Sequence, residues 1–92
     1  MTRKELSEFR KRPCIACDWT PSEVAHIRSR GAGGKNGESD CIPLCREHHV
    51  TQHAYGWKRF LEMFPKVRAH IESLGWEFAE VTGRFLMFKG AP

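Results

Sequence analysis

The sequence predicts a small α+β fold braced by a metal, and three observations carry that reading. Short alternating segments stand between stretches of helical period, so strands and helices are mixed along the chain. At 92 residues there is room for one domain, spanning 1–92, whose core is modest without a staple. The four Cys and five His are crowded enough to supply that staple. Cys14 and Cys17 form a pair, and Cys41, Cys45, His48, His49 and His53 share one short window.

The elements follow in order. Thr2-Arg3-Lys4-Glu5 has the form of a capping box, so a short basic helix runs to about Phe9 before Lys11, Arg12 and Pro13 end it. Glu23-Val24-Ala25-His26-Ile27 reads as a strand. The glycine-rich stretch 31–37 reads as an exposed loop. Cys41-Ile42-Pro43-Leu44 is a second strand, confined by Pro43 to an edge or a bulge. A helix is expected from Cys45 to about Ala54, ending near Gly56.

Trp57, Phe60, Leu61, Phe64, Val67, Ile71 and Leu74 continue at helical spacing, with Pro65 opening a second piece and Gly75 closing it. Trp76 to Val81 alternates apolar and polar, Thr82-Gly83 is a turn, and Arg84 to Phe88 returns as a hairpin. The aromatics of these C-terminal elements are read as core, and His70 as a surface residue.

Charge and composition narrow the partners. The formal net charge of +4, from 15 Lys and Arg against 11 Asp and Glu, suits an anionic partner such as nucleic acid. No apolar stretch is long enough to cross a bilayer. The opening Met-Thr-Arg-Lys-Glu is charged with no apolar run behind it, so a cytoplasmic setting is expected. Reduced thiols there favour zinc over disulfides.

Cys14-x-x-Cys17 is a knuckle that brings two thiolates to one tetrahedral ion, and Cys45-x-x-His48 repeats the spacing where a strand turns into a helix. The competing set takes Cys41 in place of His48. On an extended strand Cys41 and Cys45 would lie about 13 Å apart, too far to share an ion without a bulge. His48 is therefore preferred, and Cys41 is read as a small buried hydrophobe. Four protein ligands leave no open position, so this Zn²⁺ is expected to be structural. His49 and His53 remain, four residues apart on one helical face, a spacing at which two imidazoles grip one cation.

The matching text is Cys14-x-x-Cys17, then Ala25-His26-Ile27, Gly33-Gly34, Asp40, Pro43-Leu44-Cys45-x-x-His48-His49, and His53. On these residues the chain resembles the HNH endonuclease superfamily (the ββα-metal, or His-Me finger, nucleases), particularly small phage-type members with a zinc knuckle. It also looks like the nuclease domain of a phage recombination-enhancement family that works with RecA filaments. The resemblance covers about residues 13–56; the helices and hairpin of 57–92 match only loosely. It implies an α+β ββα-metal core with a structural zinc knuckle.

The resemblance further implies that His26 is the general base that deprotonates the attacking water, and that His49 and His53 hold a divalent cation, Mg²⁺, Mn²⁺ or another. Asp40 stands where the family's Asn lies, and either holds the loop that orients His26 or binds the cation. Ala25 departs from relatives that carry Asp or His before the first catalytic His, and His48 stands where a Cys is commoner. The implied reaction is hydrolysis of DNA, leaving 5′-phosphate and 3′-hydroxyl ends.

Arg28, Arg30 and Lys35 in the glycine loop are the expected phosphate contacts. Lys4, Arg10, Lys11 and Arg12 form either a second basic patch or a solvated helix face. DNA is the expected partner, with a recombinase filament or another phage or host DNA-processing protein beside it. The rival reading is a non-catalytic zinc-knuckle module that binds nucleic acid or protein. A redox thiol protein built on Cys14 and Cys17 lacks the βαβ context such proteins show.

Overall fold

The computed structural model describes residues 2–27 and 38–89. Helix α1 spans Arg3–Arg10 and opens with the expected box: Glu5 N–H donates to Thr2 Oγ1 at 3.2 Å, and Thr2 N–H donates to Glu5 Oε1 at 3.1 Å. Phe9 is its buried anchor, with the Arg12 guanidinium 5.0 Å from the ring centre.

Strand β1 (Glu23–His26) pairs antiparallel with β2 (Cys41–Leu44), with Glu23 opposite Leu44 and His26 opposite Cys41. A single 3-10 turn, Glu38–Asp40, leads into β2. All of β2 is buried, as a strand covered on both faces must be to justify its apolar run. Pro43 offers no N–H to a ladder, yet its carbonyl accepts the Ile15 N–H at 3.0 Å and so ties the first Cys pair to β2.

Helix α2 runs Arg46–Met63 but carries a kink at Gly56, where φ 80° and ψ 166° leave helical space. That conformation is essentially open only to glycine, so the stop expected near Gly56 is a bend between two stacked helical pieces. Helix α3 (Pro65–Ser73) begins on its proline, whose missing N–H costs nothing in a first turn. Gly75, at φ 97°, releases the chain into β3 (Trp76–Val81), which pairs antiparallel with β4 (Arg84–Lys89). Thr82 and Gly83 both take positive φ, as a tight two-residue hairpin turn requires.

Among the described residues these elements make a small α+β fold with three helices and two two-stranded antiparallel sheets. One apolar cluster joins the Cys14 segment, β1, β2, α2, α3 and the start of β3, with Ile42, Leu44, Phe60, Val67 and Ile71 fully enclosed. Trp76 locks the second hairpin to the first by donating its indole N–H to the Ser39 carbonyl at 2.8 Å. His70 is half-buried rather than on the surface, because α3 turns it towards Arg12. Among the described residues no helix is long and apolar enough to cross a membrane.

Candidate metal centre and histidine cleft

The Cys14 turn is shaped by its backbone. Asp18 N–H reaches the Cys14 carbonyl at 2.7 Å, and Cys14 N–H reaches the Trp19 carbonyl at 2.9 Å. Cys14 and Cys17 thereby face Cys45, which caps α2, and His48 in its first turn. The donor atoms of Cys14, Cys17, Cys45 and His48 all lie within 4.8 Å of one another. Cys17 Sγ is 3.7 Å from Cys45 Sγ, and His48 Nδ1 is 3.2 Å from Cys45 Sγ and 3.9 Å from Cys14 Sγ.

Those separations fit one tetrahedral ion. Two thiolates about 2.3 Å from zinc stand about 3.8 Å apart, and a thiolate and an imidazole nitrogen about 3.6 Å. The sulfurs are too distant for a disulfide, and all four cysteines are free. Burial pushes the Cys14 thiol up, but backbone N–H groups of Cys45, Ala16 and Cys17 outweigh it and hold it below its ordinary value. Loss of water and the neighbouring Cys14 and Cys45 sulfurs push Cys17 up to about 11, against a backbone bond from Trp19. Sulfurs this close resist carrying charge together; a divalent cation removes the conflict. The donor set suits structural zinc.

Cys41 stays out of this cluster. It is buried opposite His26, and burial together with the Asp40 charge pushes its thiol up to about 11. It behaves as an apolar filler.

The remaining histidines meet elsewhere. Neighbours on an α-helix point about 100° apart, so His48 and His49 leave α2 in different directions. His48 turns to the sulfurs, with its ring edge-on to Phe64 at 5.0 Å. His49 turns to β1, and His53 lies one turn along the same face with the two Nε2 atoms 3.3 Å apart. His26, His49 and His53 line one cleft of about 580 Å³, together with Val24, Gln52 and Trp57. Two imidazole nitrogens about 2.1 Å from one ion stand about 3.0–3.4 Å apart, so the His49–His53 pair suits a shared cation.

Glu23, absent from the candidates taken from sequence, completes the arrangement. His49 Nδ1–H donates to Glu23 Oε1 at 2.8 Å, while Arg46 Nη1 reaches Oε2 at 3.2 Å. The His49 contact, then Arg46, holds the Glu23 carboxyl below its ordinary range. A carboxylate on Nδ1 fixes the tautomer that leaves Nε2 as a lone pair facing His53. The only sequence hint was a carboxylate on the strand that bears His26.

Asp40 is placed differently. Its carboxylate pairs with Lys89 at 3.1 Å, its carbonyl accepts the Ile27 N–H at 3.0 Å, and it does not line the histidine cleft. It therefore touches the strand end beside His26 through the backbone. Arg28, Arg30 and Lys35, with the glycine loop, lie outside the described residues. No family model, curated protein or solved structure matches the chain.

Proposed function

We propose that the chain is a metal-dependent endonuclease of the HNH type that hydrolyses DNA phosphodiester bonds. The observation that carries this reading is the single cleft lined by His26 from β1 and by His49 and His53 from α2. Zinc held by Cys14, Cys17, Cys45 and His48 would brace it, since the start of α2 gives Cys45 and His48 to the zinc set and His49 and His53 to the cleft.

In this reading His26 takes a proton from water as the water oxygen attacks phosphorus. The bond from phosphorus to the 3′ oxygen breaks, leaving a 5′-phosphate and, after protonation from solvent, a 3′-hydroxyl. His49 and His53 hold the divalent ion, and Glu23 keeps the His49 ring in register. The chemistry such an ion supplies is neutralisation of charge building on the phosphate and the departing oxygen. Two imidazole donors suit a first-row transition-metal ion better than Mg²⁺.

Ala25 is fully buried and offers no donor, which is the observation that favours the rival, a zinc-knuckle module that binds without cutting. Plasmid nicking by purified protein across several divalent ions, with His26→Ala beside it, separates the two. The nuclease reading expects ion-dependent nicking that His26→Ala abolishes. Retained DNA binding with no nicking under any ion supports the rival.

A further inference from the structure

Beside the cysteine cluster, the knuckle face carries an aromatic that metal binding does not account for. Trp19 is 67% exposed, more than any other large apolar side chain among the described residues. The fold needs residue 19 for its carbonyl, which accepts the Cys14 N–H, and not for its indole. Its ring leaves a face open to a planar partner.

Its surroundings are basic. Trp19, Pro21, Arg46 and Glu47 line a groove of about 620 Å³ along the cysteine cluster. Pro21 also borders a second groove of about 370 Å³ lined by Arg10, Lys11 and Thr20. Among the described residues neither Arg10 nor Lys11 has an ion-pair partner, and Arg46 is 82% exposed although it touches Glu23. Among the described residues Glu47 is the one acid lining the two grooves, against three cations. A flat aromatic flanked by exposed cations suits a ligand that alternates planar rings with anionic groups.

We infer that this face binds an unpaired stretch of nucleic acid, with one base stacked on Trp19 and flanking phosphates on Arg10, Lys11 and Arg46. In a duplex the base faces are covered by their neighbours, so only an unpaired strand offers a ring to the indole. The inference names the substrate form for the nuclease reading. It is tested by binding without cleavage, so either can fail while the other stands.

The test is fluorescence anisotropy of labelled oligonucleotides with the intact zinc-loaded chain and no added divalent ion. The probes are a single-stranded DNA, the RNA of the same sequence, and a DNA hairpin duplex. Single strands should bind more tightly than the hairpin, and the DNA and RNA arms show which sugar is preferred. Trp19→Ala should weaken single-strand binding about tenfold, and Trp19→Phe should retain most of it. Arg10→Gln with Lys11→Gln should reduce the slope of log affinity against log salt by about 1.4, from about 0.7 per phosphate contact. Circular dichroism and zinc content confirm that each variant is folded. Hairpin preference, or single-strand binding unchanged by Trp19→Ala, would overturn the inference.

Discussion

His49 Nδ1 lies 2.8 Å from Glu23 Oε1, so the first strand grips the helix that carries both the cysteine-cluster ligands and the cleft histidines. The contact is short, charge-assisted and partly buried, and it sets which His49 nitrogen faces His53. Glu23→Ala should therefore weaken cation binding at His49 and His53 about 10–100-fold while leaving the zinc content unchanged. Glu23→Gln should fall between, since its amide oxygen still accepts the hydrogen bond. Titration of the zinc-loaded protein with Mn²⁺ by calorimetry reads both, and equal affinity in all three proteins would remove Glu23 from the site.

The cysteine cluster makes a separate prediction about folding. One tightly held zinc per chain is expected by elemental analysis, and its binding, on the order of 10 kcal/mol or more, is folding energy for so small a core. Cys14→Ser should abolish the cooperative unfolding transition. Cys41→Ala, outside the cluster, should keep the zinc and cost only about 1–2 kcal/mol of packing. Zinc lost from Cys41→Ala but retained in His48→Ala would assign the ligands to the competing set.

Much of this arrangement was legible because it is local. The capping box of Thr2 and Glu5, the Pro65 start and the Gly56 stop each depend on residues a few positions apart, where backbone sterics decide. The zinc set was legible because a knuckle and a helix start each fix a pair of donors. Glu23 was not, since its partner depends on how β1 packs against α2, and residue spacing does not encode that. The ion pair of Asp40 was hidden for the same reason: its carboxylate meets Lys89, which only the second hairpin brings near. The exposure of Trp19 was equally hidden, because spacing does not say that the turn uses only its backbone.

His70 gives a pH-dependent signature. Burial, then the Arg12 charge, holds it below its usual value near 6.5, so the fold favours the neutral ring. Its contribution to stability is fully present above that usual value and is lost as pH falls through the lower value in the folded protein. Melting temperatures from pH 7.5 to 5.5 should fall more for the parent than for His70→Gln. Parallel declines would show that His70 does not sense its surroundings.

The central claim is a division of labour in the histidine cleft, and single-turnover cleavage of a labelled DNA strand over a Mn²⁺ titration reads it most directly. The account predicts that His53→Ala needs more Mn²⁺ to reach half its maximal rate. It predicts that His26→Ala binds Mn²⁺ like the parent and yet loses on the order of a hundredfold or more in saturated rate. Cleavage by His26→Ala at the parental rate, with Mn²⁺ dependence unchanged in His53→Ala, would contradict it.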